Sequence, residues 1–154
     1  MDMNYGVSTV GQDPFGGGVW NILGQTYQVM ALSERAMIWH AILPAETFVP
    51  PHVHPTQDEW ITVLSGELEV DFLTEEDGFV TQKAGATQTV RMPMGMVHGV
   101  FNRSGAEATA VFGVAPTRRL YDLFRAINDV PDPAEVVRLA GLHEVDFLPP
   151  PDGA

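Results

Sequence analysis

The sequence predicts an all-β domain of the sandwich or barrel class, followed by one or two short C-terminal helices. Three observations carry that prediction. From Val19 to Val114, short runs rich in Val, Ile, Thr, Phe and Trp alternate with turn residues about every eight to twelve positions. Within Glu67–Leu73, Leu68, Val70 and Phe72 alternate with Glu69 and Asp71, so one face of a strand is apolar and the other wet. After Pro116 the period changes: Leu120, Leu123, Phe124 and Ile127 recur at i, i+3, i+4 and i+7, the stripe of an amphipathic helix.

Residues 1–18 read as a loose N-terminal segment, because GQDPFGGG (11–18) places four glycines and a proline in eight residues. The β domain then spans 19–115. Ala36–Leu43 is apolar on both faces apart from His40, as expected of a strand between a core and a second layer. Thr74–Gly78 ends in Asp77-Gly78, a hairpin signal. Residues 116–148 form a helical extension. Its second helix is expected to have Asp132 as N-cap, Pro133 at the first position, Val136, Val137 and Leu139 along it, and Gly141 as its stop. Residues 149–154 read as a disordered tail.

A chain of 154 residues, 45% hydrophobic and 18% charged, has the size and balance of one globular domain with one core. The net charge of −12 argues against nucleic acid and anionic membranes, which need clustered cations; eight Lys and Arg are scattered here, apart from Arg118-Arg119. Cysteine is absent, so any metal must be held by nitrogen and oxygen. With no basic-then-apolar N-terminus and no run of about 20 apolar residues, the chain reads as cytoplasmic.

The stretch from Pro50 to Gly66, PPHVHPTQDEWITVLSG, carries the chemistry. Side chains two apart on an extended segment share a face, so His52 and His54 can present both imidazoles to one point. Pro55 biases His54 toward extended geometry. A turn over Pro55–Asp58 then lets Glu59 start the next strand and return to the same pocket, with Ile61 and Val63 on its face and Trp60 on the other. His98 follows the turn residues Pro93 and Gly95 and opens an apolar stretch in the same way. Three imidazoles and a carboxylate suit one divalent ion, Fe(II), Mn(II), Ni(II), Co(II) or Zn(II). Any one of these histidines alone would be an ordinary core or surface residue. His54, Glu59, Gly66, Pro93, Gly95, His98 and Asn102 at their spacings make a coincidence rarer than roughly one in a million.

These two segments resemble the paired motifs of the cupin superfamily. The first fits from His52 to Gly66, the second from Pro93 to Asn102. The resemblance covers about residues 20–115 and is closest to small, single-domain, quercetinase-like cupins. It implies a double-stranded β-barrel of jelly-roll type, with His52, His54, Glu59 and His98 holding the metal inside. It also implies a homodimer. Two positions depart from the pattern: Glu46 stands where a glycine is expected, and seven residues rather than five separate Gly85 from Pro93. The first departure predicts a turn that needs no positive φ, the second a bulge or extended loop near Gly85.

Four protein ligands leave one or two positions open on such a metal, as a catalyst needs. Trp39, His40, Val63, Val70, Phe72, Met92 and Val100 are the candidate pocket residues, His40 as a proton shuttle. An apolar lining favours an apolar or aromatic small molecule. The first expectation is therefore a mononuclear metal dioxygenase acting on an enol or phenol, resembling the quercetinase-like cupins, with Glu59 either a constant ligand or the base that takes the substrate's proton. An oxygen-independent lyase, isomerase or cyclase is the second, and a non-enzymatic ligand-binding module the third.

Overall fold

The alternating runs assemble into two antiparallel sheets in the computed structural model, which describes residues 6–149. The strands are β1 (Val19–Ile22), β2 (Gln25–Leu32), β3 (Met37–Leu43), β4 (Phe48–Val53), β5 (Asp58–Ser65), β6 (Glu67–Thr74), β7 (Gly78–Gly85), β8 (Thr89–Met92), β9 (His98–Phe101) and β10 (Ala108–Ala115). They are followed by α1 (Leu120–Ile127), α2 (Pro133–Gly141) and a short β11 (Asp146–Phe147). One sheet has the order β1-β2-β3-β10-β5-β8 and the other β11-β4-β9-β6-β7. From β3 to β10 the chain passes back and forth between them, which is jelly-roll connectivity. The sheets face each other over one core and do not join into a single hydrogen-bonded cylinder.

Strand parity decides which side chains meet in that core. Glu59, Ile61 and Val63 of β5, Leu68, Val70 and Phe72 of β6, and Ala108, Ala110, Phe112 and Val114 of β10 are all buried, while their neighbours are more accessible. The β6–β7 hairpin closes at Asp77-Gly78 as the sequence predicts: Gly78 takes φ +66°, and the Thr74 hydroxyl donates to its carbonyl at 2.9 Å. Gly66, between β5 and β6, is required twice over. Its φ is +77°, and a Cβ there would lie 2.8 Å from the Glu107 carbonyl oxygen.

The helical stripe is also as expected, for α1 buries Leu120, Leu123, Phe124 and Ile127. At the start of α2 the Asp132 carboxylate accepts from the Ala134 N–H at 3.0 Å, with Pro133 at the first position. The end differs. Gly141 is still helical, and the left-handed residue that turns the chain is Glu144, at φ +63°. Beyond it, β11 pairs with β4, a two-residue strand too short for any periodicity to announce. The expected tail lies outside the described residues from 150 onward.

Two further expectations are corrected and one is met. From Ser8 on, the supposedly loose N-terminal segment is fastened to the outside of β2: the Gln28 amide donates to the Thr9 carbonyl at 3.0 Å and accepts from the Gly11 N–H at 2.8 Å. The Gly85–Pro93 spacer does hold the expected bulge: Thr87, at φ +71°, and Gln88 both oppose Val63, the Thr87 N–H donating to the Val63 carbonyl at 2.8 Å and the Val63 N–H to the Gln88 carbonyl at 3.0 Å. Glu46 does need positive φ, at +66°. It is locked there because its N–H donates to the Asn102 carbonyl at 2.9 Å and Asn102 donates back to Thr47 at 3.0 Å. A left-handed non-glycine residue costs about 1–2 kcal/mol, and Glu46 is exposed, so Glu46→Gly is expected to stabilise the fold by about 0.5–1 kcal/mol. Urea unfolding measures it, and a fall in stability would refute the strain.

Candidate metal centre

Two prolines set the first histidine in place. Pro50 and Pro51 have no N–H to give, and the β4–β9 ladder shifts register between Val49 and His52, leaving His52 directly opposite His98. Gly99 allows this close approach, since a Cβ there would meet the Pro51 nitrogen at 3.1 Å. His54 lies just past the end of β4, and β5 returns Glu59 beside it. The loops bearing the two motifs are tied together by two hydrogen bonds: Gly95 N–H donates to the His54 carbonyl at 3.0 Å, and Met94 N–H to the Asp58 side-chain carboxylate at 2.9 Å.

His52, His54, Glu59 and His98 converge with one ligand atom each, all within 4.8 Å of one another, and all four are buried. The outer nitrogens fix the tautomers. His52 Nδ1 donates to the Pro50 carbonyl at 2.8 Å and His98 Nδ1 to the Met96 carbonyl at 3.0 Å. His54 Nδ1 meets the Gln57 Oε1 at 2.8 Å, and the Gln57 Nε2 donates to the carbonyls of Pro116 and Thr117. Carbonyls only accept, so Gln57 must turn its oxygen to His54, and His54 Nδ1 must donate. Every Nε2 therefore faces inward.

That inward arrangement calls for a cation. His52 Nε2 and His54 Nε2 lie 3.2 Å apart, His54 Nε2 lies 2.8 Å from Glu59 Oε2, and His98 Nε2 is buried with no hydrogen-bond partner. Lone pairs pointed at one another repel unless something positive lies between. Two donors about 2.1 Å from one ion are about 3.0 Å apart at a right angle and about 3.4 Å at the tetrahedral angle, which brackets the observed pair. The residues fit a divalent transition metal.

With no metal bound, a proton takes part of that role. Burial would lower the His54 pKa, but the Glu59 carboxylate outweighs it and raises it above the ordinary 6.5. Burial alone would push Glu59 up; the His54 charge and hydrogen bond reverse that and hold it at about 2. Burial and the neighbouring imidazoles press His52 down to about 3. Burial also lowers His98. Of these four groups, His54 is the one shifted upward, and metal must displace its proton. Metal affinity is therefore expected to fall about tenfold per pH unit below the raised His54 pKa and to level off above it. Calorimetry in buffers of different ionisation enthalpy should count about one proton released in the falling range; a pH-independent affinity would exclude the protonated pair.

His52, His54 and Glu59, but not His98, line a cavity of about 50 Å³, walled by Trp39, Val49, Val100 and Phe112 and covered by α1, α2 and β11 through Leu123, Phe124, Ile127, Val136 and Phe147. Of the candidate pocket residues, Trp39 and Val100 line it. His40 does not: it neighbours Trp39 on β3, so parity turns it to the opposite face, beside Gln28 and the N-terminal segment. Val63, Val70 and Met92 are packed in the core, and Phe72 lies behind His98, ring centroids 6.5 Å apart. Gln57 and the cap residues were not among the candidates. Gln57 sits in a turn where glutamine is unremarkable, and the cap residues show only a helical stripe that does not say what it covers. Trp39 adds one more feature, an indole N–H buried without an acceptor.

A family model described as "Cupin domain" matches residues 39–114. Germin-like protein 9-3 of Oryza sativa subsp. japonica is 36% identical over 88 residues, 55% of this chain and 41% of that protein. The chain spans about two-fifths of the length of the curated relatives it matches. Among solved structures, KdgF from Halomonas sp. superposes with a TM-score of 0.60 at 16% identity, covering 75% of this chain and 96% of that one. A recombinant oxalate oxidase in complex with glycolate superposes with a TM-score of 0.52 at 23% identity, covering 61% and 52%. These two share the fold. With the motif residues gathered at one buried point between two jelly-roll sheets, the chain belongs to the cupin superfamily.

Proposed function

We propose that this cupin is a metal-dependent oxidoreductase acting on a small enol or similar oxygen-bearing molecule, with His52, His54, Glu59 and His98 as the metal ligands. The observation that carries the reading is the convergence of three inward Nε2 atoms and one carboxylate, with His52, His54 and Glu59 at the edge of an apolar cavity. A divalent metal held there supplies Lewis-acid activation of a substrate oxygen and, if redox-active, access to dioxygen chemistry. The chain's own groups do the rest. Trp39, Phe112 and Phe124 keep water away, and the Trp39 N–H is a donor for an oxygen of the bound molecule. Glu59 Oε1, 4.0 Å from His98 Nε2, is the carboxylate oxygen less engaged by histidine and the acceptor for a substrate proton.

Cavity size narrows the dioxygenase reading. About 50 Å³ suits a few waters or a ligand of few heavy atoms, so a flavonol-sized substrate requires α1 and α2 to move. Oxalate, suggested by the oxalate oxidase neighbour, has the right size, but no Lys or Arg lines the cavity to balance two carboxylates. A cytoplasmic homodimer completes the reading, checked by light scattering and by fractionation. Among the described residues no helix is long and apolar enough to cross a membrane.

The deciding experiment is metal analysis of the purified protein, then dioxygen uptake with enols of increasing size, in air and under argon. Uptake matched to substrate loss is expected. Equal turnover under argon would transfer the site to the lyase, isomerase or cyclase reading. Ligand binding that survives His98→Ala, with no turnover in either gas, would leave a binding module.

A further inference from the structure

Gln57 is 2% exposed and uses its whole amide. Its oxygen accepts from His54 Nδ1 at 2.8 Å; its nitrogen donates to the Pro116 carbonyl at 3.0 Å and the Thr117 carbonyl at 2.7 Å. The Thr117 carbonyl also accepts the first N–H of α1, from Leu120 at 3.2 Å. Thr117 is itself anchored, its N–H donating to the Glu34 carbonyl at 3.2 Å and its hydroxyl to the Ser33 carbonyl. The next residue, Arg118, turns the chain at φ +49°, and beyond it α1, α2 and β11 supply Leu123, Phe124, Ile127, Val136 and Phe147 to the wall of the cavity. A single buried side chain thus joins a metal ligand to the base of the cap.

We infer that Gln57 is a positioning residue that couples metal occupancy to closure of the α1–α2 cap, because the hydrogen bonds that orient the His54 imidazole are continuous with those that seat the first turn of α1. The inference rests on the metal reading above. When the ion fixes His54 Nε2, the ring cannot tilt, the Gln57 amide is held in register, and both cap carbonyls keep their donor. When the ring is free to rotate, the amide follows it and the cap loses its inner anchor. Linkage then requires the reverse as well: a seated cap tightens metal binding.

The test uses the full chain with Co(II), titrated by its visible absorption, and hydrogen exchange at the amides of Phe124–Ile127 with and without the ion. In the wild type, Co(II) is expected to slow exchange there by about 5- to 100-fold, the usual range of coupling between sites. Gln57→Leu removes both halves of the link, so Co(II) affinity should drop about 10- to 100-fold and the metal effect on exchange should vanish. Gln57→Glu keeps an acceptor for His54 Nδ1 but offers oxygen to the two carbonyls. Its affinity should stay within about tenfold of wild type while the metal effect on exchange is lost. If Gln57→Leu does not fold, Gln57→Glu decides alone. Wild-type slowing of exchange by Co(II) in either variant overturns the coupling. A wild-type protein that binds no Co(II), Zn(II) or Mn(II) overturns instead the metal reading beneath it, so the two failures are told apart.

Discussion

His98→Ala is expected to reduce divalent-metal affinity by on the order of 100-fold or more while leaving the metal-free fold close to wild type. A four-ligand transition-metal site is worth about 10–16 kcal/mol in all, so one ligand's share is roughly 3 kcal/mol. His98 is also the only candidate ligand from the second motif, and its loss would leave His52, His54 and Glu59 alone to hold an ion. The metal-free form should tolerate the change because the His98 Nε2 has no partner there: removing a buried polar atom without a hydrogen bond offsets part of the lost packing. Thermal unfolding with and without a chelator separates the two effects. Wild type should lose melting temperature on chelation, and the variant should not respond. A variant that still binds metal with wild-type affinity would show that the centre does not need the second motif.

Phe124→Ala is expected to destabilise the protein by about 3–5 kcal/mol, lowering the melting temperature by roughly 10 °C. The ring joins the cap to the core, with centroids 5.1 Å from Trp39, 5.3 Å from Tyr27 and 5.8 Å from Trp20. Its removal deletes all three aromatic contacts and enlarges the cavity where it meets His52, His54 and Glu59. The variant should therefore bind flavonol-sized molecules that wild type excludes; its four candidate ligands stay intact, and the loosened cap lowers metal affinity by no more than the coupling between the two sites, about 5- to 100-fold. Val137→Ala, on the exposed side of α2, serves as the control and should stay within about 0.5 kcal/mol. If both proteins bind large and small ligands alike, the cap does not limit access.

Amino-acid sequence specifies structure most directly where a local period decides. Leu68, Val70 and Phe72 face inward and Trp60 turns away from Glu59 because successive strand residues alternate, whatever the strand pairs with. The α1 stripe and the Asp132-Pro133 start of α2 are local for the same reason: caps and periods are set within one or two turns of chain. The same logic fails at Glu46. Side-chain identity argued against positive φ, and hydrogen bonds to Asn102, distant in the sequence, impose it nonetheless.

By itself the sequence determined the inward faces of the strands, the helical stripe and, through motif spacing, which four residues to compare as ligands. Those properties depend on neighbours a few positions apart. Only the tertiary structure decided that β11 would add an edge to the β4 sheet, that α1 and α2 would cover the cavity beside the His–Glu cluster, and that His40 would pair with Gln28 on the face away from it. It also decided the partners of Gln57, one of them 3 positions away and the others 59 and 60 away. Each of these is a contact between surfaces far apart in the chain, and an amphipathic element records that it has an apolar face without recording what will cover it.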